Sequence, residues 1–178
     1  MFPLSIGFVI NEMMEGACQA FNSAPSLYFG AARLIHLYGS QALRERFVAG
    51  MCDGTWSCTR CLTEPGAGSD LASLKLRAVR DGDHYVLNGS KLWTTHAHWA
   101  TRMFCLARTD ASGQPQAGIP FLLLAMVAPG VRVRPIITLA GEHEVNEVFF
   151  EDVRVPVGGR VGEENQGWTV AKHLLEFE

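Results

Sequence analysis

Apolar and polar positions change their period twice along this chain. In the first fifty residues they recur at helical spacing. Residues 12–20 predict a short helix. Asn22, Ser23 and Pro25 then predict a break, with Ser23 or Ser26 placed to cap a second helix. Leu27, Phe29, Leu34, Leu37 and Tyr38 mark that second helix. Gly39-Ser40 ends it and caps a third over residues 41–48, with Leu43, Phe47 and Val48 on one side and Arg44, Glu45 and Arg46 on the other. Gly50 stands where a C-terminal stop is expected. From residue 53 the pattern shortens to that of strands, at 55–63, 74–81, 84–87, 90–95, 103–109, 119–127, 131–135, 145–150 and 153–155. Asp81-Gly82-Asp83 and Asn88-Gly89 predict hairpin turns, the Asn-Gly pair the more strongly. Ala128-Pro129-Gly130 and the stretch from Asp110 to Gly113 separate other strands. Helical spacing returns at Trp168, with Trp168, Ala171, Leu174 and Leu175 on one face.

Many short strands between helical ends predict an α+β chain built around a small sandwich or barrel. We expect three parts: 1–52 helical, 53–163 strands, 164–178 the start of a further helical part. The leading helices are too small to bury their own apolar side, and the last helix reaches Glu178 without a cap. Both features lead us to expect a piece of a larger protein.

Composition narrows the classes. With 178 residues, 48% hydrophobic and 19% charged, the chain reads as globular. A net charge of −3, with no run of Lys or Arg, argues against a nucleic-acid binder. No apolar run approaches the ~20 residues of a membrane span, and Met1-Phe2-Pro3-Leu4 lacks the basic start of a secretory signal. Five cysteines without framework spacing suit a reducing compartment, so a cytoplasmic location is expected. Cys58 and Cys61 have CxxC spacing, but on a strand their sulfurs point to opposite faces.

The candidate chemistry lies in Leu62-Thr63-Glu64-Pro65-Gly66-Ala67-Gly68-Ser69-Asp70-Leu71, a strand running into a loop. Gly66 and Gly68 free the backbone for unusual φ and for close approach to a ligand; their N–H groups can cradle an anion or a carbonyl. By itself the stretch reads equally well as a strand-exit turn with Asp70 as cap. Lys91-Leu92-Trp93-Thr94-Thr95 is the second candidate. A strand with Trp93 and Thr95 on one face offers an aromatic plane and a hydroxyl together, suited to a flat ring with a polar edge.

The two motifs together resemble the paired signature of the acyl-CoA dehydrogenase family. Tyr38-Gly39-Ser40-Gln41 onward to Gly50, the run from Val148 to Pro156, and Gly162 to Gly167 match in the same order. The resemblance implies a helical domain, a small antiparallel β-barrel and a second helical domain, with FAD between barrel and C-terminal helices. It implies α,β-dehydrogenation of an acyl-CoA thioester to the 2-enoyl-CoA, electrons passing to an electron-transfer flavoprotein, and a homo- or hetero-oligomer. It assigns Leu62, Thr63, Trp93, Thr94 and Thr95 to the flavin, and Gly68 and Ser69 to its phosphates or the thioester arm. Glu178 falls near one of two positions the family uses for the base that takes the α-proton, and Glu176 near a substrate position. Alone, the chain is expected to be incomplete for catalysis. An acyl-CoA oxidase, a flavin monooxygenase of the same fold, and a non-catalytic barrel fragment stay open as alternatives.

Two departures from the family pattern stand out. His96-Ala97-His98 replaces the usual residues after the second motif. Arg60 occupies a usually apolar position, on the face shared by Cys58 and Leu62 if strand alternation holds. Its guanidinium suits a carboxylate, so a polar or dicarboxylic acyl group is expected. The segments from Trp93 to His98 and from Gly141 to Glu147 are similar to the large subunit of pimeloyl-CoA dehydrogenase-type enzymes, which points the same way.

Overall fold

The computed structural model describes residues 4–175. The first helical stretch, Leu4–Tyr38, is two helices interrupted at Cys18, whose backbone is extended (φ −163°, ψ 95°). The interruption falls before the expected break at residues 22–25, through which the helix continues. Asn22 acts instead as a buried clamp across the kink: its Nδ2 donates to Asn11 Oδ1 (2.7 Å) and Glu15 Oε1 (2.8 Å).

Ser40 caps the next helix as expected, its hydroxyl accepting from Leu43 N–H. This helix starts at Gln41, widens into a π-turn over Arg44–Val48 and goes on to Cys52. Gly50 is therefore not its stop. A Cβ there would lie 2.3 Å from Trp56 Cδ1, so the glycine serves the packing of that indole. Gly54, at φ +85°, makes the left-handed exit.

Among the described residues seven strands form the β-rich part, in two sheets. β1 (Cys58–Cys61), β4 (Arg102–Leu106) and β5 (Phe121–Ala125) form a three-stranded sheet in the order β1-β4-β5. β2 (Arg77–Asp81), β3 (His84–Thr95), β6 (Val131–Ile136) and β7 (Val145–Pro156) form a four-stranded sheet in the order β2-β3-β7-β6. A last helix, Gly167–Leu175, returns to the first, and Tyr38 Oη meets His173 Nδ1 at 2.8 Å. Ala171 and Leu174 are buried in this helix as predicted, Trp168 is half-buried, and Leu175 is exposed.

The expected closed antiparallel barrel is not what forms. The sheets stay open, and β1 runs parallel to β4, which its long crossover through β2 and β3 permits. Two of the edges have evident protection. β6 carries Pro135, Arg132 and Arg134, which discourage further pairing. β5 is covered by the chain beyond β7, where Val161 N–H donates to Phe121 O (2.8 Å) and Gly167 N–H to Ile119 O (2.8 Å).

The three-stranded sheet is the middle of three layers. Phe104, Leu106, Phe121 and Leu123 point to a core shared with Leu34, Ile35, Phe47, Met51, Val170 and Leu174 of the helices. Met103, Cys105, Leu122 and Leu124 point the other way, to Leu76, Tyr85, Leu87, Val148, Phe150 and Val155 of the second sheet. Cys58 belongs to the first core and Cys61 to the second, as strand alternation predicts.

The Asp81-Gly82-Asp83 turn forms, joining β2 to β3 with Gly82 at φ +60°. The Asn88-Gly89 turn does not: β3 runs straight through it. Asn88 instead bonds the bulge opposite, donating from Nδ2 to Asp152 Oδ1 (2.9 Å) and accepting from Asp152 N–H (3.0 Å). Gly89, at φ +143°, lets Leu76 lie against the strand; a Cβ would come within 2.8 Å of Leu76 Cδ1.

Candidate functional site

At the end of β1 the chain makes a tight turn. Glu64 N–H donates to Ala67 O (3.0 Å), and Ala67 N–H returns to Glu64 O (3.1 Å). Gly66 and Gly68 do not take the left-handed φ expected of them. Their value is space: a Cβ on Gly66 would meet nothing within 4 Å, and one on Gly68 only Thr63 Cγ2 at 3.9 Å. Gly68 and Ser69 are exposed, and the Ser73 hydroxyl donates to the Asp70 carboxylate behind them.

Glu64 points the other way, into the protein, with 7% exposure. Its Oε2 accepts from Lys75 N–H (2.6 Å) and its Oε1 from Leu76 N–H (2.9 Å). Oε1 also accepts from Lys91 Nζ (2.8 Å), which donates to Leu62 O as well (2.9 Å). Lys91 is fully buried. Next to it, Leu92 N–H donates to Thr63 O (2.8 Å), and the Thr59 hydroxyl donates to Thr95 O (2.6 Å). The two motifs, thirty residues apart in sequence, thus lie side by side.

Two bulges set the side chains of this shelf. Between Leu87 and Gly89 on β3, the partner strand β7 advances from Val153 to Phe150, so the extra residue is on β7, where Asp152 has φ +51°. Between Lys91 and Thr94 the extra residue is on β3, where Trp93 has φ +58°. Such a bulge flips the phase of the strand. Tyr85, Leu87 and Lys91 face inward before it; Thr94 faces inward after it. Trp93 (55% exposed) and Thr95 are left together on the outer side. The buried Thr94 hydroxyl lies 3.5 Å from Cys61 Sγ.

Beyond Thr95 the HxH segment forms a rim. The His98 ring stacks on His143 (centroids 4.0 Å apart, planes at 23°), and Trp99 packs against both His96 and His98. Asn146 Nδ2 donates to Thr94 O (3.0 Å) and to His98 Nδ1 (3.1 Å), while His143 Nε2 meets Asn146 Oδ1 at 2.7 Å. Burial, and next His143, hold the His98 imidazole below the usual histidine range. Among the described residues no three His, Cys, Asp or Glu side chains gather as a metal site. Burial pushes the Cys58 thiol up to about 12 and Cys61 to about 11, which keeps both protonated and inert.

Leu62 is half-buried against the helical core that holds Cys58, and Arg60 lies between them in sequence on the same strand phase. Burial draws the Arg60 guanidinium below its usual range. Glu176 and Glu178 lie outside the described residues. Glu64 and Lys91 sit inside the two motifs, yet the sequence motifs alone assign them no role. The available signal was phase: Lys91 falls on the inward phase of Tyr85 and Leu87, where a charge needs a partner. Among the described residues no helix is long and apolar enough to cross a membrane.

The chain is similar to known proteins. Residues 59–153 match the model of the acyl-CoA dehydrogenase middle domain. The chain is 43% identical over 141 residues to acyl-CoA dehydrogenase IpdE1 of Mycobacterium tuberculosis, a match covering 79% of this chain and 37% of that protein. It superimposes on a structure of the ChsE4-ChsE5 complex from Mycobacterium tuberculosis with a TM-score of 0.81 at 37% identity, over 89% of this chain and 42% of that one. A structure titled Tcur3481-Tcur3483 steroid ACAD gives 0.79 at 36% identity, over 83% and 38%. The chain spans less than half the length of each of these proteins. With the family's middle-domain model matched across both motifs, and with relatives of this similarity, the chain belongs to the acyl-CoA dehydrogenase family.

Proposed function

We propose that the chain supplies the flavin-holding shelf of an FAD-dependent acyl-CoA dehydrogenase, which converts an acyl-CoA thioester to its 2-enoyl-CoA. The observation that carries this reading is the union of the two motifs: Leu92 N–H on Thr63 O and Thr59 Oγ1 on Thr95 O bring the glycine loop and the Trp93 strand together. The residues fit the cofactor. Open space lies over Gly66 and Gly68, and an exposed indole stands beside an exposed hydroxyl.

In this reading the Thr63 hydroxyl and backbone N–H bond the polar edge of the ring, with Leu62 beside them. Trp93 lies against the ring face, and Thr95 offers a hydroxyl near its reactive edge. The Thr94 hydroxyl faces Cys61, so its part falls to the backbone. Gly68 and Ser69 meet phosphates or the pantetheine arm. The bound flavin supplies the acceptor for the substrate's β-hydride. The protein's work is to orient the thioester, exclude water and set fixed donors where charge develops on the carbonyl. The α-proton goes to a carboxylate, for which Glu178 is this chain's candidate, with Glu176 near the substrate.

Two readings of the acyl group have support. The relative titled steroid ACAD favours a bulky, ring-bearing acyl chain. The half-buried Arg60 favours one ending in a carboxylate. We assign electron transfer onward to an electron-transfer flavoprotein. The structure titled as a ChsE4-ChsE5 complex favours an oligomer for the whole protein.

The test uses the natural full-length protein. It should carry flavin absorbance and, without oxygen, turn acyl-CoA to enoyl-CoA with an electron-transfer flavoprotein or dye as acceptor. Colourless protein that takes up no added FAD defeats the reading; turnover that consumes oxygen without an added acceptor moves it to the oxidases. Arg60→Ala should reduce use of dicarboxylyl-CoA relative to monocarboxylyl-CoA about tenfold or more, the scale of one charge-assisted hydrogen bond. An unchanged preference removes Arg60 from the substrate site.

A further inference from the structure

We infer that the buried Lys91–Glu64 pair is the positioning device that aims the Thr63 donors at the cofactor. The inference rests on the flavin reading and adds to it residues that touch no ligand. Lys91 Nζ is fully buried and holds two acceptors, Leu62 O at 2.9 Å and Glu64 Oε1 at 2.8 Å.

Peptide geometry turns this grip into direction. A trans peptide is planar, with C=O and N–H on opposite sides, and among the described residues no peptide is cis. The Leu62 carbonyl is turned toward β3 by the Lys91 ammonium. The N–H on the other side of that same peptide belongs to Thr63, so it must point away from β3, toward the open side of the loop. The next peptide is fixed in the same manner. Thr63 O is turned toward β3 by Leu92 N–H, and Glu64 N–H points away, onto Ala67 O. Two carbonyls held from one side thus set the direction of the loop's donors on the other.

Glu64 completes the device. An ammonium buried beside the Cys61 and Cys105 thiols is costly without a counter-charge. Glu64 supplies it and is itself held by Lys75 N–H and Leu76 N–H, which tie the loop to the start of β2. A neutral pair could fill the same volume without the Leu62 bond, and this separates positioning from mere stability. Buried ion pairs can be replaced by neutral side chains at little cost in stability, whereas removing one member costs a great deal.

The experiment compares three forms of the natural full-length protein: wild type, Lys91→Met, and the double variant Lys91→Met with Glu64→Gln. Each is measured for melting temperature without flavin, for FAD affinity by titration, and for hydrogen exchange of the peptide around residues 60–68 in the flavin-free state. Lys91→Met alone should melt well below wild type. The double variant should recover most of that loss, yet bind FAD about tenfold more weakly, the scale of one misdirected hydrogen bond. Its loop should exchange faster while the β4 and β5 peptides do not change. A double variant that regains wild-type stability, FAD affinity and loop protection together overturns the inference, since the pair would then be structural only. Should the double variant fail to fold, Glu64→Gln with Lys91 retained takes its place: loop exchange and FAD affinity both at wild-type values would overturn the inference equally. Wild-type protein that takes up no FAD fails at the first titration, which defeats the flavin reading, and this inference with it, before any variant is compared.

Discussion

The two sheets use the same strand chemistry to different ends. In the inner sheet both faces are covered: β4 and β5 are buried along almost their whole length, alternate side chains going to the helical core and to the other sheet. In the outer sheet β2 exposes four of its five residues and β6 buries none of its six, and only one face is packed. A strand buried on both faces has no freedom to slip, because either phase is already filled. In the outer strands only one face is packed, so a bulge can change which side chains face outward without displacing a second packed layer. Both bulges occur where β3 meets β7, and one of them turns Trp93 and Thr95 outward. The site forms where the inner sheet ends, at the Leu62–Glu64 exit of β1, beside the bulge of the outer one at Trp93.

The largest effect expected from this contrast separates two phenylalanines. Phe104 is fully buried on β4, its ring tilted against Phe121 with centroids 5.4 Å apart. Phe104→Ala should cost about 3–5 kcal/mol of folding stability. Phe149 on β7 is half-buried on the outer face, under the guanidinium groups of Arg132 (4.9 Å) and Arg134 (5.2 Å). Phe149→Ala should cost about 1 kcal/mol, a cation–π contact and a little area. Denaturant midpoints decide it; equal losses at the two positions would mean that the layers are not as unlike as their burial suggests.

That asymmetry also accounts for what was legible in advance. Period and turn chemistry located the inner strands, the Ser40 cap and the Asp81-Gly82-Asp83 turn, because each is a local rule with a local outcome. The Asn88-Gly89 pair obeys the same local rule, and tertiary contacts overrode it: Asp152 occupies the Asn88 amide and Leu76 the space at Gly89. Strand number leaves a sandwich and a barrel both open, and the barrel was expected from the family resemblance. Whether edges join depends on what covers them, here Pro135 and the segment around Val161, and strand counting carries no such information. The outward pairing of Trp93 with Thr95 was readable as alternation. Simple alternation continued from Lys91 would bury both, so the bulge at Trp93 is what makes the reading work.

A mid-sized effect tests the override directly. Gly89→Ala places a Cβ 2.8 Å from Leu76 Cδ1 and 3.2 Å from its Cα, at φ +143°. Gly82→Ala, at φ +60° in the hairpin turn, meets nothing within 4 Å. Both incur backbone strain, about 1–2 kcal/mol for a left-handed residue, but only the first adds a clash with the backbone of the strand's approach. Gly89→Ala should therefore lower the melting temperature more than Gly82→Ala. Equal shifts would show that conformation alone, and not the close approach of Leu76, keeps glycine at 89.

The smallest effect lies at the rim where the outer sheet runs out. With Asn146 Nδ2 donating both to Thr94 O and to His98 Nδ1, that ring nitrogen must be an acceptor, so His98 is neutral in the folded rim. Protonation would set an N–H against an N–H. Burial, then the His143 ring stacked on it, with His96 nearby, all lower its affinity for a proton. As pH falls through the ordinary histidine value, about 6.5, the unfolded chain takes up a proton that the folded chain refuses. Stability then declines with falling pH, and the loss is complete once the lower folded value has been passed. His98→Gln cannot titrate, so its melting temperature should fall less steeply than that of wild type between pH 7 and 5, a window set by that reference value. Because His96, His143 and every carboxylate are common to both proteins, parallel curves would mean that the rim histidine is not what the acid reaches first.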